Sequence, residues 1–247
     1  MPEPLGDNSQ RKSLEVTLTD LIDTTEMYLR TILELEEEGQ VALRARISER
    51  LGQSGPTVSE TVNRMSRDGL VVVRDDRHLE LTATGRLEAT RVMRKHRLAE
   101  RLLADVIGLE WEFLHDEACR WEHVMSEQVE RKILTLISTP ELSPYGNPIP
   151  GLDELGYRPN PQFSEGVVSL PSKLLESGSG NGLVLRRIGE PIQIDPEFLA
   201  ELRAAGLVPG VKISASHLEG RILICLDGAD EGIAVDHDLA AHIFVEA

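Results

Sequence analysis

Apolar residues recur at helical spacing through the first half of the chain. Met27, Leu29, Ile32, Leu33 and Leu35 line one side of a helix that opens at Asp23-Thr24-Thr25-Glu26, where Asp23 or Thr24 can cap it, and closes near Glu38-Gly39. Leu43 to Leu51 reads as a second, short helix stopped by Gly52. Ser54-Gly55-Pro56-Thr57 opens a third: Ser54 can cap it, Pro56 suits a first turn, and Val58, Val62 and Met65 keep the helical period as far as Asp68-Gly69. The period then shortens. Leu70–Arg74 and His78–Thr82 are β-rich runs joined by the polar Asp75-Asp76-Arg77, which predicts a hairpin. Thr82-Ala83-Thr84-Gly85 begins a long helix reaching about Ile107-Gly108, followed by helices from about Trp111 to Ser126 and from Glu127 to Ile137.

From Thr139 the pattern changes again. Ser143-Pro144-Tyr145-Gly146-Asn147-Pro148-Ile149-Pro150-Gly151 reads as an extended proline-glycine linker, and a second loose stretch holds Pro159, Pro161 and the Ser/Gly run 177–182. Strand-like runs follow at Leu183–Ile188, Ile192–Ile194, Val211–Ala215, Ile222–Cys225 and Gly232–Val235, with a short helix at Glu197–Ala205. The fold class expected is mainly α with a small β part. A winged helix-turn-helix leads into further helices and ends in an SH3-like β-barrel. The boundaries drawn are a flexible extension over 1–17, the winged segment over 18–90, a helical domain over 91–157, a linker over 158–182 and the barrel over 183–247.

Composition sharpens this picture in two places. With aromatics at only 4%, the cores must rest on Leu, Ile and Val, and two Cys do not make a disulfide framework. The first residues are polar and acidic and no apolar run approaches a membrane span, so a cytoplasmic chain is expected. The net charge of −16 argues at first against nucleic acid. Residues 40–101, however, hold 13 basic and 8 acidic residues and carry +5, while the remainder holds 13 basic and 34 acidic and carries −21. Screening over about 8–10 Å makes the local charge the one a phosphate meets.

In a winged helix-turn-helix the third helix lies in the major groove. Its first turn offers Ser54, Pro56, Thr57, Ser59 and Glu60, and Arg44, Arg46, Arg50, Arg64, Arg67 and Arg77 can hold phosphates around it. The same small residues also suit plain capping, and Arg-rich solvated helical faces are common.

The densest chemistry lies further on. Cys119, Glu122 and His123 stand at i, i+3 and i+4, which places thiol, carboxylate and imidazole on one helical face. Such a mixture suits a borderline divalent ion: Fe²⁺, Co²⁺, Ni²⁺ or Zn²⁺. A fourth ligand has to come from elsewhere. Met27 offers a thioether, although a Met on an amphipathic helix is ordinarily core. His96, Glu100 and His115 make a second nitrogen-and-oxygen set, with a solvated i, i+4 pair as the alternative for the first two. Cys225 lies in an apolar run and reads as structural. His78, His217, His237 and His242 lack ligand-rich neighbours in sequence. A zinc hydrolase built on Cys119, Glu122 and His123 with Glu117 as base would need an open position and a substrate pocket, and no phosphate-cradling loop is visible.

Several long motifs resemble the diphtheria toxin repressor family of iron-dependent regulators, in its actinobacterial form: Asp23–Ile32, Leu43–Ile47, Gln53–Ser59, Met93–Leu103, Asp116–Ser126 and Gly146–Leu152. The resemblance is close over about Asp23–Leu155 and looser beyond. It implies a non-enzymatic iron(II)-activated repressor of iron uptake and homeostasis genes. It also implies a homodimer bound to palindromic double-stranded operator DNA, with two dimers per operator as a further arrangement. The 91–157 segment becomes a dimerisation and metal-binding domain. A primary site of Met27, Cys119, Glu122 and His123 is implied, with an ancillary site of His96, Glu100, His115, Glu190 and Gln193. Cys119 favours iron over Mn²⁺, because related manganese sensors place a carboxylate there; Co²⁺, Ni²⁺, Zn²⁺ and Mn²⁺ are expected substitutes in vitro. A manganese-responsive repressor is the alternative. The chain departs from the family pattern at Glu60, where relatives place Gln, in the length of residues 1–22, and in its C-terminal part.

Overall fold

The structure, a computed structural model, describes residues 24–177 and 180–247. The expected extension over 1–17, the Asp23 cap and positions 178 and 179 lie outside the described residues. Contacts divide the chain into two units, one of Met1–Leu33 with Val41–Ala89 and the other of Glu34–Gln40 with Thr90–Ala247.

In the first unit, the part of helix α1 (24–37) up to Leu33 contributes Tyr28, Leu29, Ile32 and Leu33, all buried. α2 (Arg44–Leu51) ends at Gly52, whose φ of 61° is the left-handed closure that a glycine accepts without cost. α3 (Gly55–Arg67) starts as the sequence predicts: Ser54 is extended, its hydroxyl accepts from the Thr57 N–H at 3.4 Å, and Pro56 lies in the first turn. Val58, Val62 and Met65 face inward with no exposure. The expected hairpin is present as β1 (Val71–Val73) against β2 (Leu79–Leu81), with Val72 opposite Glu80. The Leu79 N–H also donates to the Ala42 carbonyl at 2.8 Å, which ties the wing to the residues before α2. α4 (Ala83–Leu102) opens beside the wing, and a Cβ on Gly85 would stand 1.9 Å from the Leu70 carbonyl oxygen, so only glycine fits there.

The second unit takes up the chain at Thr90 within α4, which passes into a single π turn at Leu103–Ile107 and stops at Gly108. The helix expected from Trp111 to Ser126 is shorter and broken. A 3-10 turn (Trp111–Phe113) leads into α5 (Leu114–Trp121), then Glu122–Val124 form a turn and α6 covers only Glu127–Ile133.

The expected linker at 143–151 is instead packed. Tyr145, Asn147 and Ile149 have no exposure, the Ile188 N–H donates to the Tyr145 carbonyl at 3.0 Å, and the Asn147 amide donates to the Ile188 carbonyl at 3.0 Å. Proline content alone signals an extended backbone; it does not distinguish a free strand from one laid into a core. Residues 158–182 also depart from expectation, because they include β3 (Val167–Ser169), α7 (Leu170–Ser177) and the start of β4 (Gly180–Ile188). Ile192–Ile194 is not a strand. Pro191 in a first turn starts the short α8 (Glu190–Gln193), and Asp195 then caps α9 (Pro196–Ala204), accepting from the Phe198 N–H at 3.0 Å.

β5 (Lys212–Leu218), β6 (Arg221–Leu226) and β7 (Gly232–Val235) follow, then α10 (His237–Ala240) and β8 (Ile243–Glu246). The six strands form one antiparallel sheet in the order β3-β8-β4-β5-β6-β7. One apolar core runs from Leu98 and Leu114 through Tyr145 and Ile149 to Ile213, Ile224 and Val245, so helices and sheet of this unit are packed together. No helix among the described residues is long and apolar enough to cross a membrane.

Candidate metal centre and nucleic-acid face

The first unit holds a cleft of about 590 Å³ lined by Leu43, Arg44, Ala45, Ser59, Asn63 and Arg77, of which Arg44, Ser59 and Arg77 are predicted DNA contacts. Leu43 is extended and gives α2 no side-chain cap, so the first N–H groups of that helix stay available at its positive end. Arg44 reaches Asn63 Oδ1 at 3.3 Å, which links the two helices across the cleft. Arg77 enters from the wing turn with φ 71°. Ser54, Pro56, Thr57 and Glu60 are exposed along the first turns of α3, and Arg67 is exposed at its end. Arg46 is turned back onto the Val41 carbonyl at 2.5 Å, while Arg64 reaches the Thr25 hydroxyl of α1 at 3.5 Å, so these two guanidiniums have partners within the protein. Arg50 is half-buried in the last turn of α2. Asn63 was missed by the sequence expectation, although it follows Ser59 by four residues and so shares its helical face.

In the second unit two i, i+4 pairs face one another: His96 and Glu100 on α4, His115 and Cys119 on α5. Donor atoms of His96, His115 and Cys119 lie within 4.8 Å of each other, and the two imidazoles meet edge to face with centroids 4.9 Å apart. His96 stands between two carboxylates, Nε2 at 2.9 Å from Glu100 and Nδ1 at 2.7 Å from Glu122, and all three side chains are buried. His115 Nδ1 is 3.2 Å from Gln193 Oε1 on α8, and its Nε2 is 3.5 Å from Cys119 Sγ. His123 Nε2 is 3.4 Å from Glu122 Oε1.

The expected division into two donor sets is therefore not how the side chains pair in this arrangement. Glu122 joins His96, and Cys119 joins His115, because the helical faces that carry them pack together. Gln193 reaches the cluster, whereas Glu190 is held by the Arg97 guanidinium at 3.0 Å. Met27 lies half-buried on α1 in the first unit, its carbonyl accepting the Thr31 hydroxyl at 2.9 Å.

Burial opposes ionisation of Glu100, but the His96 charge and the hydrogen bonds of His115 and His96 outweigh it and hold the carboxyl well below the usual range. Burial also acts against a charged His115; the Cys119 sulfur and Glu100 outweigh it and push the imidazole up to about 9.

Comparison with known proteins fixes what this architecture belongs to. Residues 20–79 match the model of the iron dependent repressor N-terminal DNA binding domain, and residues 82–151 match the iron dependent repressor metal binding and dimerisation domain. The chain is 52% identical over 230 residues to the iron-dependent repressor IdeR of Mycobacterium tuberculosis, covering 93% of this chain and 99% of the relative. The chain belongs to the iron-dependent repressor family. It is also 49% identical over 235 residues to the diphtheria toxin repressor of Corynebacterium diphtheriae, again across 93% of this chain and 99% of the other. Among solved structures it superposes on a manganese-dependent transcriptional repressor in complex with manganese with a TM-score of 0.74 at 28% identity, over 90% of this chain and 99% of that one. Members of the family are DNA-binding regulators rather than enzymes, so the hydrolase alternative is set aside.

The side chains of this family member fit a divalent metal ion, which the matched metal binding domain implies. Glu100 Oε2 is buried with no hydrogen-bond partner, an acceptor left over after both imidazoles are counted. Such an atom is costly unless a cation or donor completes it. A thiol, three imidazoles and two buried carboxylates are the mixture that suits borderline divalent ions. The residues that would hold metal are Cys119, Glu122 and His123, and His96, Glu100 and His115.

The sequence expectation does not find two buried arginines on α4. Arg97 has no exposure, and its guanidinium donates to Glu37 at 2.6 and 3.1 Å, to Glu190 at 3.0 Å and to the Pro148 carbonyl at 2.7 Å. Arg94 is likewise buried and donates to Glu130 at 2.5 Å, to Glu154 at 2.8 Å and to the Gly151 carbonyl at 2.8 Å. Both follow from inward-facing positions on α4, yet an Arg in an amphipathic helix reads from sequence as solvated.

Proposed function

We propose that this chain is an iron(II)-activated dimeric transcriptional repressor of iron uptake and homeostasis genes. The observation that carries the proposal is the cluster of half-buried Cys119 with buried His115, His96, Glu100 and Glu122, in a chain half identical to iron-dependent repressors and holding a winged unit with an arginine-lined cleft. Within this proposal Met27, Cys119, Glu122 and His123 form the activating site, and His96, Glu100, His115, Glu190 and Gln193 form the ancillary one. A bound divalent ion would supply a positive centre for the thioether, thiol, carboxylate and imidazole donors. An ion shifts an equilibrium only by its differential affinity for two states, and DNA then tightens ion binding by the same factor.

The winged helix-turn-helix is assigned to 18–90, the dimerisation and metal-binding domain to 91–157 and an SH3-like domain to 183–247, with β3, α7 and the start of β4 in the stretch between the last two. Exposed apolar residues in the helical part support self-association: Val124 is 80% exposed, Leu136 60% and Ile107 55%. A homodimer reads two half-sites about one helical turn apart, so the operator is a palindromic duplex, bound by one dimer or by two. Val124→Glu is expected to convert the dimer to monomer in sedimentation equilibrium. A variant that remains dimeric would remove that surface from the interface.

The test is a gel shift on a duplex selected from random DNA by the Fe²⁺-loaded protein under anaerobic conditions. Retention with Fe²⁺ and release with chelator is expected; equal affinity in both would end the proposal. Co²⁺, Ni²⁺, Zn²⁺ and Mn²⁺ are expected to substitute in vitro. A manganese-responsive repressor is the second possibility, favoured by the fold shared with a manganese-dependent protein. Cys119 weighs against it, since a thiolate suits hard Mn²⁺ poorly. Cys119→Asp should move the preference toward Mn²⁺ in calorimetric titrations; an unchanged ranking of Fe²⁺ over Mn²⁺ would show that the sulfur does not set selectivity.

A further inference from the structure

The wing turn carries a charged chain of side chains that neither the metal cluster nor the recognition helix uses. Arg74, at the end of β1, donates to Glu80 of β2, with its Nε at 2.8 Å. His78 Nε2 is 2.8 Å from the other oxygen of Glu80, and His78 Nδ1 contacts the Asp76 carboxylate. Each ring nitrogen of His78 therefore faces a carboxylate. A neutral imidazole has one N–H and one lone pair, so only the imidazolium satisfies both contacts. Asp76 and His78 flank Arg77 on either side, and the Asp76 carboxylate also accepts from the His78 N–H at 3.3 Å. Arg77 itself holds φ 71°, a conformation that a branched or long side chain rarely adopts unless its neighbours fix it. The turn is closed by the Arg74 N–H donating to the His78 carbonyl and the Arg77 N–H to the Arg74 carbonyl, both at 2.9 Å. Arg77 then lines the same cleft as Arg44, Ser59 and Asn63.

We propose that protonated His78, clamped between Asp76 and Glu80, is a positioning residue that holds the wing turn so that Arg77 meets a DNA phosphate beside Arg44, and that DNA affinity is thereby linked to protons at the wing. This rests on the repressor function proposed above. The groups facing the ring are Asp76 in the turn and Glu80 on β2. Arg74 on the far side of Glu80 keeps that carboxylate ionised, and Asp75 and Arg77 complete the charges of the turn. The bond to Glu80 raises the imidazole above its ordinary value against a smaller opposing effect of desolvation, and Asp76 raises it further. The charged form is thus full below the usual histidine range and is lost as pH rises through the raised value. Affinity is expected to fall in the same direction.

The experiment measures anisotropy of a labelled duplex selected from random DNA, using full-length protein saturated with Co²⁺, between about pH 6 and about pH 8. Metal saturation is verified by calorimetry at each pH. Wild type is expected to lose about two- to fivefold in affinity across that range, the size of one exposed charge interaction. His78→Gln should be weak throughout and flat with pH. His78→Lys, which keeps a cation between the carboxylates, should bind at the low-pH level throughout. Arg77→Ala should lower the salt slope by about one and abolish any further effect of His78→Gln. A wild type that binds DNA with the same pH profile as His78→Gln overturns the inference alone, as do additive losses from Arg77→Ala and His78→Gln. A wild type that binds no duplex with or without metal at any pH overturns the repressor function and this inference together.

Discussion

Replacing Glu122 by Gln is expected to abolish metal-dependent DNA binding while leaving the fold intact. The side chain is buried and its contacts include His96 at 2.7 Å and His123 at 3.4 Å. A glutamine fills the same volume and its carbonyl can still accept from His96, so no cavity opens and circular dichroism should be unchanged. What disappears is an anionic oxygen at the point where α5 gives way to the His123 turn. Loss of a group that merely supports a metal ligand costs about 10–100-fold in affinity, and loss of a ligand carboxylate should cost at least that much. At a ferrous concentration that just saturates wild type, the variant should show no retained DNA in a gel shift and a calorimetric affinity about 100-fold weaker or worse. Glu117→Gln is the matched control: Glu117 lies on the same helix but bonds Arg120 and Trp121 outside the cluster, at 2.5 and 2.8 Å. Wild-type metal response in Glu122→Gln would remove this residue from the site.

Much of this was legible in the sequence, and the reason is local. The cap at Ser54, the stop at Gly52 and the 75–77 turn depend on residues within a few positions of one another, and all were read correctly from spacing. The i, i+4 pairs His96/Glu100 and His115/Cys119 were equally visible. Their partnership across α4 and α5 was not, because which helical faces pack together is a tertiary choice. The same limit hid Arg97. Its charge reads as solvated, and only the fold reveals that Glu37, Glu190 and Pro148 converge on it from distant parts of the chain. The C-terminal part was least legible. β8 is a short apolar run near the chain end, yet it lies inside the sheet between β3 and β4. Ile192–Ile194 has the composition of a strand, but Pro191 and the Asp195 cap turn it into helix.

Arg97→Met is expected to be the most damaging single substitution for stability. The side chain is fully buried, and removing it takes away the guanidinium that bonds both the Glu37 and Glu190 carboxylates. Breaking a buried pair by deleting one partner costs about 3–5 kcal/mol, which for a chain of this size lowers the melting temperature by roughly 6–20 °C. The loss should depend on pH. Burial pushes Glu37 up to about 7 from 4.5 even with Arg97 beside it, the guanidinium only partly offsetting desolvation. Because the folded value lies above the unfolded one, the stabilising contribution of a protonated Glu37 is complete below about pH 4.5 and is lost as pH rises through about 7; at about 1.4 kcal/mol per unit it amounts to about 3 kcal/mol at most. Without Arg97 the Glu37 carboxyl moves further up, and Glu190, which the guanidinium holds down against burial, loses that cation, so the cost of the substitution grows as pH rises and both carboxyls must ionise. Thermal unfolding followed by circular dichroism in chelator, so that metal linkage does not intrude, should therefore give a smaller difference between wild type and Arg97→Met in acid than in mild alkali. A difference independent of pH would mean that the guanidinium acts by packing against Phe163, whose ring centroid lies 5.9 Å away, rather than by neutralising the two carboxylates.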